Sequence, residues 1–114
     1  MSTKDEYPPS STDEVAISWS VLQTTSDAAK ILGLRLIGIA LPAVFAGTSV
    51  SFLVKVGSSY LPMYVGNVLY ALTVGTSRFI PVKIPYFAAT AEIKIVSNAA
   101  EAIATEIQLV VRPV

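Results

Sequence analysis

The sequence predicts an all-β domain, an antiparallel β-sandwich or jelly roll of seven to eight strands behind an extended N-terminal arm. Three observations predict it. Short runs along most of the chain alternate apolar with polar or small residues, the period-2 signature of a half-buried strand. Turn-forming groups separate those runs, at Gly57-Ser58-Ser59, Gly66-Asn67, Gly75-Thr76-Ser77 and Ser97-Asn98, as in sandwiches and barrels. With 114 residues the chain has room for one domain, with a modest core and no separate cofactor domain.

The elements follow in order. Residues 1–13 are the arm and residues 14–114 the sandwich domain. The opening MSTKDEYPPSST is polar, lacks the apolar stretch of a secretory leader, and carries Pro8-Pro9, which enters neither helix nor central strand. A cytosolic start and an extended arm ordered only against a partner are expected. Val15, Ile17, Trp19 and Val21 then alternate with Glu14, Ala16, Ser18 and Ser20. Thr24 to Leu34, with Ser26 or Asp27 as N-cap, and the alanine-rich Ala99 to Ala104 are expected as loops holding one helical turn each. Arg35 to Leu41 reads as a strand covered on both faces. Val50, Phe52, Val54 and Val56 alternate with residues that include Ser51 and Lys55. Val68, Tyr70, Leu72 and Val74 form one further strand, and Ile80, Val82 and Ile84 another, with Pro81 marking an edge or bulge. Ile93 and Ile95, then Ile107, Leu109 and Val111, complete the pattern.

Leu36 to Val54 is nineteen residues without a charge, long enough to be weighed as a membrane span. Pro42 inside its first half, the turn Ala46-Gly47-Thr48-Ser49 and the alternation after it favour two strands joined by a corner.

The charge map excludes whole classes of function. Eight basic and eight acidic residues cancel, charged residues are 14% of the chain, and hydrophobic residues are 53%. Soluble domains average about 25% charged residues, so this surface is ion-poor and suits burial by neighbours. Residues 1–30 carry five acids and two bases, residues 31–114 six bases and three acids, and Lys55 is the only charge between Leu36 and Ser77. Neither cysteine nor histidine occurs, which removes disulfides, thiol nucleophiles, Cys/His zinc sites and histidine acid–base chemistry. Without a basic run, nucleic acid is not expected as a partner. The only acids of residues 31–114, Glu92, Glu101 and Glu106, are read as solvated charges on strand or loop surface rather than a carboxylate pair. No catalytic residue, cofactor or metal is expected.

Aromatics cluster at Tyr60, Tyr64 and Tyr70, followed by Phe79, Tyr86 and Phe87. Such rings pack in cores, anchor protein interfaces or stack on sugars. Tyr60 to Ser77 offers only Asn67 and a few Ser and Thr to hold sugar hydroxyls, which favours an interface over a glycan platform. The expected contact residues are Tyr7, Pro8 and Pro9 in the arm, Pro42, Val44 and Phe45 at the corner, and Tyr60, Pro62 and Tyr64.

The run Leu34-Arg35-Leu36-Ile37-Gly38-Ile39-Ala40-Leu41-Pro42-Ala43, followed by Thr48-Ser49-Val50-Ser51-Phe52, resembles small virion proteins of tailed bacteriophages, which pair an "LRLxGIxxP" strand with an "xSxxF" strand. Thr76-Ser77-Arg78-Phe79-Ile80-Pro81-Val82 and the closing Ile107 to Val114 fit the same pattern. The resemblance covers roughly residues 31–114 and departs from that pattern in two places. Gly57-Ser58-Ser59-Tyr60 and Leu61-Pro62-Met63-Tyr64 lack the family's acids, and Ala91 to Ser97 lacks its basic positions. It implies a non-enzymatic structural protein of the virion, assembled in the host bacterial cytoplasm: a capsid decoration or cement subunit. The acidic arm and the neutral faces predict a homotrimer, and its further partners would be the major capsid protein or other virion proteins, without nucleic acid or membrane. The alternatives are a neck, tail or fibre-associated sandwich module binding host glycan, and a small single-span membrane protein.

Overall fold

The computed structural model describes residues 13–82 and 92–113. They form an all-β, antiparallel fold without a helix, as the alternation predicted. The strands are β1 (Asp13–Trp19), β2 (Ala29–Lys30), β3 (Leu34–Leu41), β4 (Ser49–Val56), β5 (Ser59–Pro62), β6 (Tyr64–Val65), β7 (Val68–Leu69), β8 (Ala71–Thr73), β9 (Arg78–Pro81), β10 (Glu92–Ser97) and β11 (Thr105–Pro113).

Two larger sheets face each other, in the orders β1-β11-β3-β9 and β2-β10-β4-β5, with β8 also pairing β4. Early and late strands of the chain pair in nested fashion: β1 with β11, β2 with β10, β3 with β9 and β4 with β8. The β11–β3 and β10–β4 pairings then roll this long ribbon into two layers. Between the layers lies one apolar core, with Ile17, Trp19, Leu36, Ile39 and Leu109 from one sheet and Val50, Phe52, Ile93 and Ile95 from the other. Most come from the inward positions of the period-2 pattern, and on β3 a bulge against Val110 and Val111 shifts the register so that both Leu36 and Ile39 face inward. Leu36 to Val54, the candidate span, folds as β3, a corner and β4. No helix among the described residues is long and apolar enough to cross a membrane.

The described residues contain eleven strands where the spacing predicted seven or eight. The excess arises in one place. Residues 68–74 were expected as one strand, but the chain from Ser59 to Thr73 makes four short ones. β5 pairs Lys55 with Tyr60 and Val54 with Leu61, while β8 pairs Ser49 with Thr73 and Ser51 with Ala71. Both lie along the same edge of β4, because β10 occupies the other. Between them the two-stranded hairpin β6–β7 leaves the sheet, its base closed by the Met63 amide on the Phe52 carbonyl (3.0 Å) and the Tyr70 amide on the Met63 carbonyl (2.9 Å). Gly66 takes φ of +64° in its turn, which a side chain would oppose.

Neither expected helical turn forms. Ser26 is buried instead, accepting the Ile95 amide on Oγ at 2.8 Å, and Asp27 Oδ1 accepts the Ser18 amide at 2.8 Å. These polar side chains hold the β1–β2 loop against strands, a use that competes with helix capping. The first strand also stops at Trp19, leaving Val21 exposed in the turn beyond it.

Candidate interaction surface

Two exposed apolar regions and one polar row stand out, and the fold explains each. The first region is the β6–β7 hairpin. Tyr64 faces Leu69 across it and Val65 faces Val68, and all four are between 39% and 70% exposed. Leu61 and Pro62 on the adjoining strand are exposed as well. A hairpin of two residue pairs has little stability of its own, and this one carries no charge. A shallow cleft of about 170 Å³ lies beside it, lined by Leu69 and Ala71 together with Ser49, Ser51, Val96 and Asn98.

The second region is the end of the sandwich where four loops meet. The Ser77 amide donates to the Pro42 carbonyl at 2.8 Å, the Val74 amide to the Thr48 carbonyl at 3.0 Å, and the Leu22 amide to the Glu101 carbonyl at 2.7 Å. Asn98 Oδ1 accepts the Thr48 and Ser49 amides. Val21, Leu22, Val44 and Ile103 are exposed on these loops. Leu22 holds φ of +64°, a strained backbone for a branched residue. The one acid on the β10–β11 loop is withdrawn, whereas Asp27 on the β1–β2 loop and Arg78 beside the β8–β9 loop are exposed. Glu101 is 1% exposed and receives the Ala46 amide on both carboxylate oxygens (3.0 and 3.1 Å) and the Thr105 hydroxyl on Oε1. The expectation of a solvated Glu101 is therefore corrected. Without these donors a buried carboxylate would be very costly.

The polar row crosses the outer face of the β2-β10-β4-β5 sheet. Register places Lys30 opposite Glu92 and Lys55 opposite Tyr60. Tyr60 donates its hydroxyl to Glu92 Oε1 at 2.8 Å, Lys55 Nζ stands 3.4 Å from Glu92 Oε2, and Lys94 Nζ lies 4.4 Å from the centre of the Tyr60 ring. The Tyr60 hydroxyl, then Lys55 and Lys30, hold the Glu92 carboxyl below its ordinary range against a smaller opposing effect of burial. The hydrogen bond to Glu92 raises the Tyr60 phenol, with burial and the negative charge adding to it. Glu92 is thus a paired charge rather than a freely solvated one, whereas Glu106 is exposed and accepts the Gln108 amide at 2.8 Å.

The expected contact residues separate accordingly. Val44, Pro62 and Tyr64 are exposed, while Pro42 is half-buried. Phe45 is not a contact residue: it is buried, its ring meeting Trp19 edge-on at 5.4 Å and 72°. The corner turns it into the core between the sheets. Tyr60 is half-buried, with its ring and hydroxyl already engaged by Lys94 and Glu92. Tyr70 stacks on Phe52 at 5.8 Å, and burial raises its phenol pKa. Tyr7, Pro8, Pro9, Tyr86 and Phe87 lie outside the described residues. Val68 escaped the sequence reading because a single strand over 68–74 would have buried it together with Tyr70, Leu72 and Val74.

Among the described residues no group of three or more acids, histidines or cysteines is placed to hold a metal. A second cleft, of about 220 Å³ beside Trp19 and Thr105, is like the first below the roughly 300 Å³ at which small-molecule sites begin. Comparison of the chain with protein-family models, with curated proteins and with solved structures finds no match.

Proposed function

We propose that this chain is a non-enzymatic structural protein of a tailed-bacteriophage virion, a capsid decoration or cement subunit that joins its own copies as a homotrimer and sits on other virion proteins. The observation that carries the reading is the uncharged β6–β7 hairpin, which holds Tyr64, Val65, Val68 and Leu69 in water outside the sheet. A subunit that remains single gains nothing from such a projection. One that is covered by a neighbour recovers about 25 cal/mol for each Å² of apolar surface buried, with no ion to desolvate. Tyr64 supplies the aromatic anchor that protein interfaces favour.

The strand path supports the same reading. With β5 to β7 set aside as an excursion, eight strands remain, nested as two four-stranded sheets. That path fits a jelly roll, a fold used by viral shell proteins and by lectins. Fold alone does not choose between these uses, so the reading leans on the surface. A glycan platform needs a free ring and donors beside it, and Tyr60 is already taken by Glu92 and Lys94. Tyr64 is the ring on this segment that keeps the glycan reading as second choice.

The test is the presence, location and copy number of the labelled subunit on purified tailed-phage particles from the host that expresses it. The proposal expects label over the whole head, in numbers comparable with the shell protein. Label confined to neck or tail would favour the glycan-binding alternative, and no particle-bound label would overturn both.

A further inference from the structure

Among the described residues the two larger sheets have four edges, and three of them are short, interrupted or broken by proline. β2 is two residues long, the β4-flanking edge is interrupted by the hairpin, and β9 carries Pro81, which has no amide to offer. The fourth edge is β1. Its sequence, DEVAISW, is seven residues without proline or lysine, and its register with β11 is unbroken from Asp13 to Trp19. An edge of this kind is a template for another strand.

Side chains occupy it instead. Asp27 Oδ1 accepts the Ser18 amide at 2.8 Å while the Asp27 amide donates to the Ser18 carbonyl at 2.9 Å. Asp27 thereby imitates a paired strand at Ser18. Alternation along an antiparallel ladder then turns Ala16 and Glu14 to the same outer side. The Glu14 amide is held by Asp13 Oδ1 at 2.8 Å. Ala16 lies between the two caps.

We infer that Asp27 guards the β1 edge against strand addition, and that the strand this edge takes up when the guard is lost is β1 of a second copy. The edge is self-complementary: two β1 strands laid antiparallel about a two-fold axis bring their Ala16 residues face to face. Small Ala16 and Ser18 side chains on the outer face leave the approach clear, and the acids at Asp13 and Glu14 point to opposite ends. The inference is independent of the proposed virion role, because it concerns an edge and not the hairpin.

The full chain tests it directly. In the native protein the Ser18 amide should exchange with deuterium at least about tenfold more slowly than the Ala16 amide of the same edge; equal rates would overturn the guard. Asp27→Ala should raise the mass measured by light scattering above that of the native chain, increasingly with concentration. Asp27→Asn keeps the Oδ1 acceptor and should behave as native. Ala16→Pro in the Asp27→Ala background removes an outward amide without touching the β11 ladder, and should return the native mass. A folded Asp27→Ala protein with native mass, or one whose added association survives Ala16→Pro, would overturn the inference. Should Asp27→Ala not fold, the exchange comparison in the native chain still decides.

Discussion

Glu101 holds the Ala46 amide on both of its carboxylate oxygens, at 3.0 and 3.1 Å, across 55 residues of chain. The same residue's carbonyl takes the Leu22 amide, so one side of the loop end is tied together through a single residue. The tie also withdraws this carboxylate from the surface on which Val21, Leu22, Val44 and Ile103 are exposed. Glu101→Ala should cost about 1–3 kcal/mol in chemical denaturation, because the Ala46 amide loses its hydrogen bond to a charged acceptor. Glu101→Gln, which keeps one acceptor, should cost less. Equal stability of the alanine variant and the native chain would show that the tie carries no energy.

Gly38 is fixed by a neighbour rather than by its backbone angles. A Cβ there would overlap the Phe79 ring and stand 2.9 Å from the Ile80 carbonyl oxygen, since Phe79 on β9 lies across β3 at this point. Gly38→Ala should destabilise by about 1–3 kcal/mol, the usual cost of forced overpacking. Adding Phe79→Ala removes the ring and should make the pair less costly than the sum of the two single changes. Simple additivity would contradict the contact.

The Tyr60–Glu92 hydrogen bond sets a pH dependence. Glu92 is lowered from 4.5 in the folded chain, so the unfolded chain binds the proton first as pH falls. The stability it contributes is whole above about 4.5 and is lost as pH drops through the lowered folded value. Tyr60 is raised from 10.0, so the unfolded chain ionises first and stability falls again as pH climbs past about 10. Tyr60→Phe should move the Glu92 titration, followed by carboxyl NMR, upward towards 4.5. An unmoved midpoint would mean that Lys55 and Lys30 alone hold it down.

Leu22 combines φ of +64° with a side chain that is 71% exposed. Leu22→Asn should therefore hold or raise stability by up to about 1 kcal/mol, because asparagine accepts the left-handed backbone more readily. A clear loss would reveal packing that exposure conceals.

Much of this fold was legible because burial writes a period of two into β1, β4, β10 and β11, while β3 showed as an unbroken apolar run. Where the chain leaves the sheet, that code ends. Val68 to Val74 alternates well, yet its residues divide between the hairpin and β8, since an exposed hairpin places no burial constraint on its sequence. Phe45 was misplaced because exposure at a corner depends on which way the chain turns, which no local pattern records. Glu101 was unreadable for a related reason. Its partners Ala46 and Leu22 are distant in sequence, and only its isolation among alanines set it apart.

The most direct test of the central claim, that the uncharged hairpin is covered by neighbouring copies, is the mass of the full chain by light scattering at micromolar concentration. The account predicts about three times the 12.1 kDa of one chain, the closed ring of a cyclic trimer, and a fall to a single chain for Val65→Asp with Val68→Asp at unchanged melting temperature. A native protein that stays single, or a doubly charged hairpin that leaves the assembly intact, would contradict it.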